Sequence, residues 1–260
     1  MLKNPQTVSK DNHRYKRLLP TPSYVYAQKM AIVPLVGVEC AQAVHNFPIV
    51  FTPYGESYVL MGLLSLQPDR NMFVTADGKW LGSYVPAILR QYPFAVGLPA
   101  EGGEPLLCVD EDSGLISDTD GQPMFEIDGS PSEIMRKVID FVSELERNRA
   151  GTIRAVNMLV KHNLIIPWDI TLRAPDGQGQ QKVNGLFRID EAAMNALPPE
   201  DFLEIRQAGA LPIAYAHLLS LNCIENLVRL SGVQAPGQAA ARPAPLAPAM
   251  DSNGDLVFNF

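Results

Sequence analysis

The chain has 260 residues, of which 47% are hydrophobic and 19% charged, with a formal net charge of −7. This apolar fraction is typical of a folded protein and excludes a chain that is disordered throughout. The longest apolar runs, at 30–38 and 58–66, fall well short of the roughly 20 residues that span a bilayer, so no membrane insertion is predicted. The acidic balance argues against nucleic acid as a partner.

The first 22 residues carry five Lys or Arg against one Asp and lack the apolar stretch of a signal peptide. We expect residues 1–22 to form a basic, flexible arm outside the folded domain. The three Cys residues are far apart and form no C-x-x-C pair. We therefore expect reduced thiols and a cytoplasmic protein, with signal-independent export to the cell surface as the alternative.

Residues 31–110 contain short apolar segments bounded by turn residues, which is typical of strands. Asp77-Gly78 predicts a tight turn, because this pair tolerates positive φ. A short helix is expected at 83–91, with Pro86 in its first turn. The predicted strands are 31–38, 47–52, 57–66, 71–75, 93–98 and 105–110.

The second half shows the periodicity of helices. Ser130-Pro131-Ser132-Glu133 predicts a helix start with Ser130 as its cap, and an apolar stripe with a spacing of three and four residues follows to position 160, with a bend near Gly151. A polar hairpin is predicted at 170–189. Asp190 caps the next short helix, and Pro199 begins another helix that Gly209 ends.

The last predicted helix, 211–230, is apolar on most faces and should be the most buried. The composition then changes to Ala, Pro and Gln, which predicts a disordered tail at 232–260. The final residues, 255–260, would add a strand to a sheet edge or remain a frayed end. We expect residues 23–231 to form one α+β domain, with a mainly antiparallel sheet from the first half covered by helices from the second.

Motifs of nucleotide-binding loops, catalytic triads and paired metal ligands are absent from the sequence. No cofactor and no metal site is predicted, and a role other than catalysis is favoured.

Aromatic residues and one Arg are concentrated at 71–94. Trp80, Tyr84, Arg90 and Tyr92 are candidate binding residues, because rings and a guanidinium recognise ligands by stacking and cation–π contact. The alternative is a structural seam between sheet and helix. His217, in a nearly all-apolar helix, is the fifth candidate, as a base or a ligand. Its alternative is a buried imidazole whose nitrogens are hydrogen-bonded.

The segment NMFVTADGKWLGSYVPAILRQYPF resembles the bacterial SapC-like family, whose members share NLFVD-x-x-G-x-W-x-x-x-YVPA-x-LRRYPF. Thr75 and Gln91 stand where the family often has Asp and a second Arg. Further stretches agree in order along the chain: VPL at 33–35 with Glu39, FPIVF at 47–51, LCVD at 107–110, NGLFRIDE at 184–191 and AYAHLLSL at 214–221.

The lack of any catalytic motif, together with exposed ends of the chain that suit partners, favours a non-enzymatic binding or assembly protein with a protein partner. The resemblance itself implies a protein without a settled biochemical role. It also implies two alternatives: an enzyme or accessory of a flavin-dependent halogenase or outer-membrane uptake system, and a surface-layer-associated component. The peptide-transporter permease subunit that shares the name is excluded, because the sequence has no spanning segment.

Overall fold

The protein is described by a computed structural model that covers residues 2–21, 23–97, 105–173 and 180–233. The tail predicted from residue 232 and its apolar end at 255–260 lie almost entirely outside these residues.

The strands in this part of the chain are short and pair antiparallel with their neighbours. They are β1 (Pro5–Thr7), β2 (Arg17–Leu18), β3 (Ile32–Pro34), β4 (Ile49–Tyr54), β5 (Ser57–Leu63), β6 (Phe94–Gly97), β7 (Leu106–Asp110), β8 (Ile116–Ser117), β9 (Gln122–Pro123), β10 (Ile165–Pro167), β11 (Ile170–Arg173), β12 (Gln180–Val183) and β13 (Phe187–Ile189).

The α-helices range from one turn to eight. They are α1 (Lys10–His13), α2 (Cys40–Ala43), α3 (Ala87–Arg90), α4 (Glu133–Lys161), α5 (Glu191–Asn195), α6 (Pro199–Gln207), α7 (Ala210–Ser220) and α8 (Ile224–Val233). None of these helices combines the length and the apolar character needed to cross a membrane.

A five-stranded sheet with the order β10-β13-β4-β5-β3 forms the centre of the molecule. The β4–β5 hairpin supplies its most buried residues, among them Phe51 and Leu60. Gly62 is required in β5, because a Cβ there would lie 2.7 Å from the Phe47 ring. Helices α4 and α7 pack on this sheet, which confirms the predicted α+β class.

A smaller cluster of buried side chains lies between the first half of α4 and the three-stranded sheet β1-β7-β6. Phe94 and Val109 of the sheet contact Met135 and Val142 of the helix within this cluster. The basic segment expected to be a flexible arm reaches this sheet through β1. Its pairing is reinforced by Asp110, whose buried carboxylate accepts the backbone N–H groups of residues 3 and 4 at 3.0 and 2.9 Å.

Three local predictions need correction. Residues 71–75 do not form an extended strand: the Asn71 side chain accepts the Phe73 N–H, and across the predicted Asp77-Gly78 turn the structure has an isolated antiparallel bridge, Val74 with Trp80, in place of a paired strand. Helix α4 is capped by Ser132, not Ser130, and its residues 133–161 stay helical through Gly151. The last helix is divided by a 3-10 turn at Leu221–Cys223, where the Ser220 hydroxyl donates to the His217 carbonyl.

The predicted hairpin at 170–189 is also divided. β11 pairs with β12, whereas β13 leaves the hairpin and lies between β10 and β4 of the main sheet. Gly185, with a φ of +81°, lies between β12 and β13 and allows this change of direction.

Candidate functional site

Trp80 lies in the middle of residues 71–94, the segment that carries the family resemblance and is here called the signature segment. Its indole N–H donates to the Tyr84 carbonyl at 2.9 Å, which folds residues 80–84 back on themselves. Its ring stacks on Phe73 with the centroids 5.4 Å apart and meets Tyr24 edge-on at 5.8 Å. The residue thus positions Tyr84 and packs against the main hydrophobic cluster.

Tyr92 lies at the other end of the segment and is only 8% exposed. Its ring stacks on Tyr26 at a centroid distance of 4.0 Å, and the Tyr26 hydroxyl donates to the Leu89 carbonyl at 2.6 Å. Burial, followed by the nearby Asp110 charge, raises the pKa of the Tyr92 hydroxyl. Burial also raises the pKa of Tyr26 well above its ordinary value, so both phenols are neutral at physiological pH.

Arg90, at the end of α3, is exposed and held from two sides. Its Nε donates to the Val85 carbonyl at 3.1 Å, and its Nη2 lies 3.5 Å from the Tyr84 hydroxyl. The guanidinium carbon lies 5.8 Å from the centroid of the Tyr84 ring and 5.1 Å from that of Phe141 on α4. Among the described residues, no carboxylate forms an ion pair with Arg90.

Arg90 and Tyr92 both line a cavity of about 330 Å³, here called the Arg90 cavity. Its wall is formed by residues 18–21, the segment 90–94, Gly121 and Gln122, and one face of α4 that includes Val138 and Phe141. Among the described residues that line this cavity, Arg90 is the one charged residue, and none carries a carboxylate, imidazole or thiol. The described wall therefore offers a cation that can bind an anionic group.

Tyr84 connects Arg90 to a residue that sequence reasoning did not select as a candidate. The Tyr84 hydroxyl donates to Oε1 of Glu39 at 2.6 Å, and Glu39 is only 4% exposed. Burial, followed by this hydrogen bond, raises the pKa of Tyr84. The available signal was the position of Glu39 itself, which is the single acid within the mostly apolar stretch 31–44 and one of the residues that carry the family resemblance.

His217 lies apart from this group, in the core at 0% exposure. Its Nδ1 lies 2.7 Å from the Ile49 carbonyl oxygen, and its Nε2 accepts the Ile189 N–H at 3.2 Å. The first contact needs a proton on Nδ1, which identifies the tautomer. Burial lowers the pKa of the imidazole to about 4. The ring is thus neutral and links β4 to β13.

Of the five predicted site residues, Arg90 and Tyr92 line one cavity. Tyr84 contacts Arg90 but is not part of the cavity lining, Trp80 adjoins Tyr84 through its carbonyl, and His217 lies elsewhere in the core. The side chains closest to a metal-binding arrangement in the described ranges are His162, Asp201 and Glu204, with one ligand atom from each within 4.8 Å of the others. Glu204 contacts the Lys161 ammonium group and accepts from His162 at 3.0 Å, so this group already forms an ion-pair network between α4 and α6.

Comparison with known proteins gives one match. The family model described as SapC matches residues 8–227, which include the whole signature segment, Glu39 and His217. No curated protein and no solved structure matches the chain. The model covers most of the sequence in one continuous range, so the chain belongs to the SapC family.

Proposed function

We propose that this protein is a non-enzymatic binding protein whose Arg90 cavity takes an apolar molecule that ends in a carboxylate. The observation that carries the proposal is the Arg90 guanidinium, the one charged group in an otherwise mostly apolar wall. A guanidinium offers two parallel N–H donors that match the two oxygens of a carboxylate. Burying the apolar part of the ligand against Phe141 and its neighbours adds the hydrophobic contribution.

The position of Arg90 favours binding because its side chain is already ordered. The Val85 carbonyl holds Nε, and the rings of Tyr84 and Phe141 lie beside the guanidinium. A long side chain that is already held loses less conformational entropy when a ligand arrives. The volume of about 330 Å³ is at the lower end of the range of small-molecule sites.

The lining residues that the structure describes support binding over catalysis, since none of them carries a carboxylate, imidazole, amine or thiol, and their two hydroxyl groups, on Thr21 and Tyr92, have no such group in the lining to activate them. The protein partner and the cytoplasmic location predicted from the sequence are part of this proposal. A binding protein that leaves its ligand unchanged needs a partner protein. The partner either receives the ligand or recognises the ligand-bound form.

The test is calorimetric titration of the full chain with octanoate and with 3-phenylpropanoate, using octanamide as the uncharged comparison. A hydrogen bond to a charged group contributes about 1.5–3 kcal/mol, so Arg90→Gln should weaken binding of both acids by about tenfold or more and leave octanamide unchanged. Arg14→Gln is the matched control. Arg14 also donates to a backbone carbonyl, that of Ile127 at 2.7 Å, and lies over a ring, that of Tyr15, but outside the cavity.

Acid binding that is equal in wild type and Arg90→Gln, or no binding of either acid by wild type, would refute the proposal. Far-UV circular dichroism of each variant shows that the comparison is made between folded proteins.

A further inference from the structure

A second concave site begins at Glu39, the acceptor of the Tyr84 hydroxyl. This site, here called the Glu39 cleft, has a volume of about 410 Å³. It lies between the segment 34–39, the β4–β5 hairpin and the middle of α4. Apolar side chains, among them Leu35, Leu145 and Val156, form much of its wall.

The Glu39 carboxylate is buried and held by three donors. Oε1 accepts from the Tyr84 hydroxyl and from the Ala87 backbone N–H, both at 2.6 Å, and Oε2 accepts from the Val36 backbone N–H at 2.9 Å. An ionised carboxylate offers about four acceptor positions. One position, on Oε2, is therefore free of the hydrogen bonds found in the structure.

The negative charge of Glu39 is not compensated by a cation. Within the part of the chain that the structure describes, no Lys, Arg or His nitrogen lies within 4.0 Å of this carboxylate. The guanidinium of Arg90 lies near the Tyr84 hydroxyl, which donates to Glu39, but forms no ion pair with Glu39 itself. Removing a carboxylate from water without a counter-charge is costly, so a positively charged group that enters the cleft gains the full attraction of Glu39.

The other charges in the wall neutralise each other. Arg149 and Glu146, one turn apart on α4, form an ion pair of 2.6 Å, and their side chains are 52% and 30% exposed. The cleft thus has a compensated pair that is partly open to solvent and one uncompensated carboxylate that is buried. The buried charge selects the ligand, because solvent screens exposed pairs strongly.

We propose that the Glu39 cleft binds an apolar molecule that carries a primary ammonium group, and that the ammonium donates to Oε2 of Glu39. The single free acceptor position favours ammonium over guanidinium. A guanidinium needs an acceptor on each carboxylate oxygen for its paired donors, but Oε1 already accepts two hydrogen bonds. The apolar remainder of the ligand packs on the side chains of α4 and β5.

The experiment is calorimetric titration of the full chain with hexylamine, with 1-hexanol and hexylguanidine as comparison probes. We expect hexylamine to bind at least tenfold more tightly than either of the other two. Glu39→Gln removes the charge and should weaken hexylamine binding by tenfold or more. Glu146→Gln, which removes the partly exposed, ion-paired carboxylate from the same cleft, is the matched control and should change binding by less than threefold.

A second pair of variants tests the cleft without touching the Glu39 hydrogen bonds. Ile153→Trp places a large side chain in the cleft and should abolish hexylamine binding. Ile139→Trp makes the same change on the same helix outside the cleft and should not. The proposal is overturned if wild type does not bind hexylamine, if hexanol binds as tightly, or if Ile153→Trp binds hexylamine as wild type does.

Discussion

His217 makes the strongest quantitative prediction of the structure, because its buried, neutral state ties folding to pH. The ring donates to the Ile49 carbonyl and accepts from the Ile189 N–H, and burial lowers its pKa to about 4. In the unfolded chain a His titrates near pH 6.5. The pKa of His217 is thus lower in the folded state than in the unfolded state. Between pH 6.5 and pH 4 the unfolded state therefore binds more protons than the folded state.

The sign and size of the effect follow from this difference. The stabilisation is fully present above pH 6.5 and is lost as the pH falls towards 4. A difference of about 2.5 pKa units corresponds to about 3 kcal/mol in total, and about 2 kcal/mol of this is lost between pH 7 and pH 5.

Substitution of His217 by Gln isolates this contribution. A Gln amide can donate to the Ile49 carbonyl and accept from the Ile189 N–H, but it does not titrate. Urea unfolding followed by circular dichroism at pH 7, 6 and 5 should show that His217→Gln loses about 2 kcal/mol less than wild type over this range. His45→Gln, at an exposed position, should follow wild type.

The comparison uses the change in the free energy of unfolding between pH 7 and pH 5. A loss of stability in His217→Gln that is the same at each pH does not affect this change. Equal losses in wild type and His217→Gln between pH 7 and pH 5 would refute the reasoning, because they would mean that protonation of His217 is not coupled to unfolding.

Other substitutions test the packing and the helix ends, with the free energy of unfolding in urea as the measurement. Gly62→Ala should destabilise by about 1–3 kcal/mol, because its Cβ would clash with the Phe47 ring. Gly151→Ala in mid-helix should stabilise by up to about 1 kcal/mol, because its Cβ would make only an ordinary contact, 3.7 Å from the Arg154 side chain. Ser132→Ala should lower the free energy of unfolding by about 0.5–2 kcal/mol, because Ser132 caps α4. Ser130→Ala should lower it by less than half of that, and a larger effect of Ser130→Ala would contradict the assigned cap. Asp110→Ala should cost about 1–3 kcal/mol and expose the N-terminal segment to limited proteolysis, and unchanged protease resistance would count against the role of this carboxylate.

Patterns within a few residues predicted most of the elements. The apolar segments at 47–52 and 57–66 became the β4–β5 hairpin, and the stripe after Glu133 became α4. Such patterns report which face of an element is buried, and that is a local property. The insertion of β13 between β10 and β4 was not predicted, because it depends on pairing between residues more than 130 positions apart.

The basic N-terminal segment also shows that local sequence patterns do not report contacts between distant residues. Its composition is that of a solvated arm, yet β1 pairs with β7 over Pro5–Thr7. The stabilising group is the Asp110 carboxylate, which caps backbone N–H groups more than 100 positions away. The sequence of the first 22 residues does not indicate this partner. The groups that bind Asp110 are backbone N–H groups, and every residue except proline has one.

The residues of the candidate sites also fall into two groups, those that the sequence selected and one that it did not. Arg90 and Tyr92 could be selected because guanidinium and aromatic groups are chemically distinctive wherever they stand. Glu39 was not selected, although it is the one acid in the stretch 31–44, because an acid is ordinary on a surface and becomes significant only when burial removes its water. Its three donors come from the local turn at Val36 and from residues 84 and 87, nearly 50 positions along the chain. The selectivity of the Glu39 cleft thus depends on how many acceptor positions the fold leaves unused, and that number exists only after the signature segment has packed against the turn that contains Glu39.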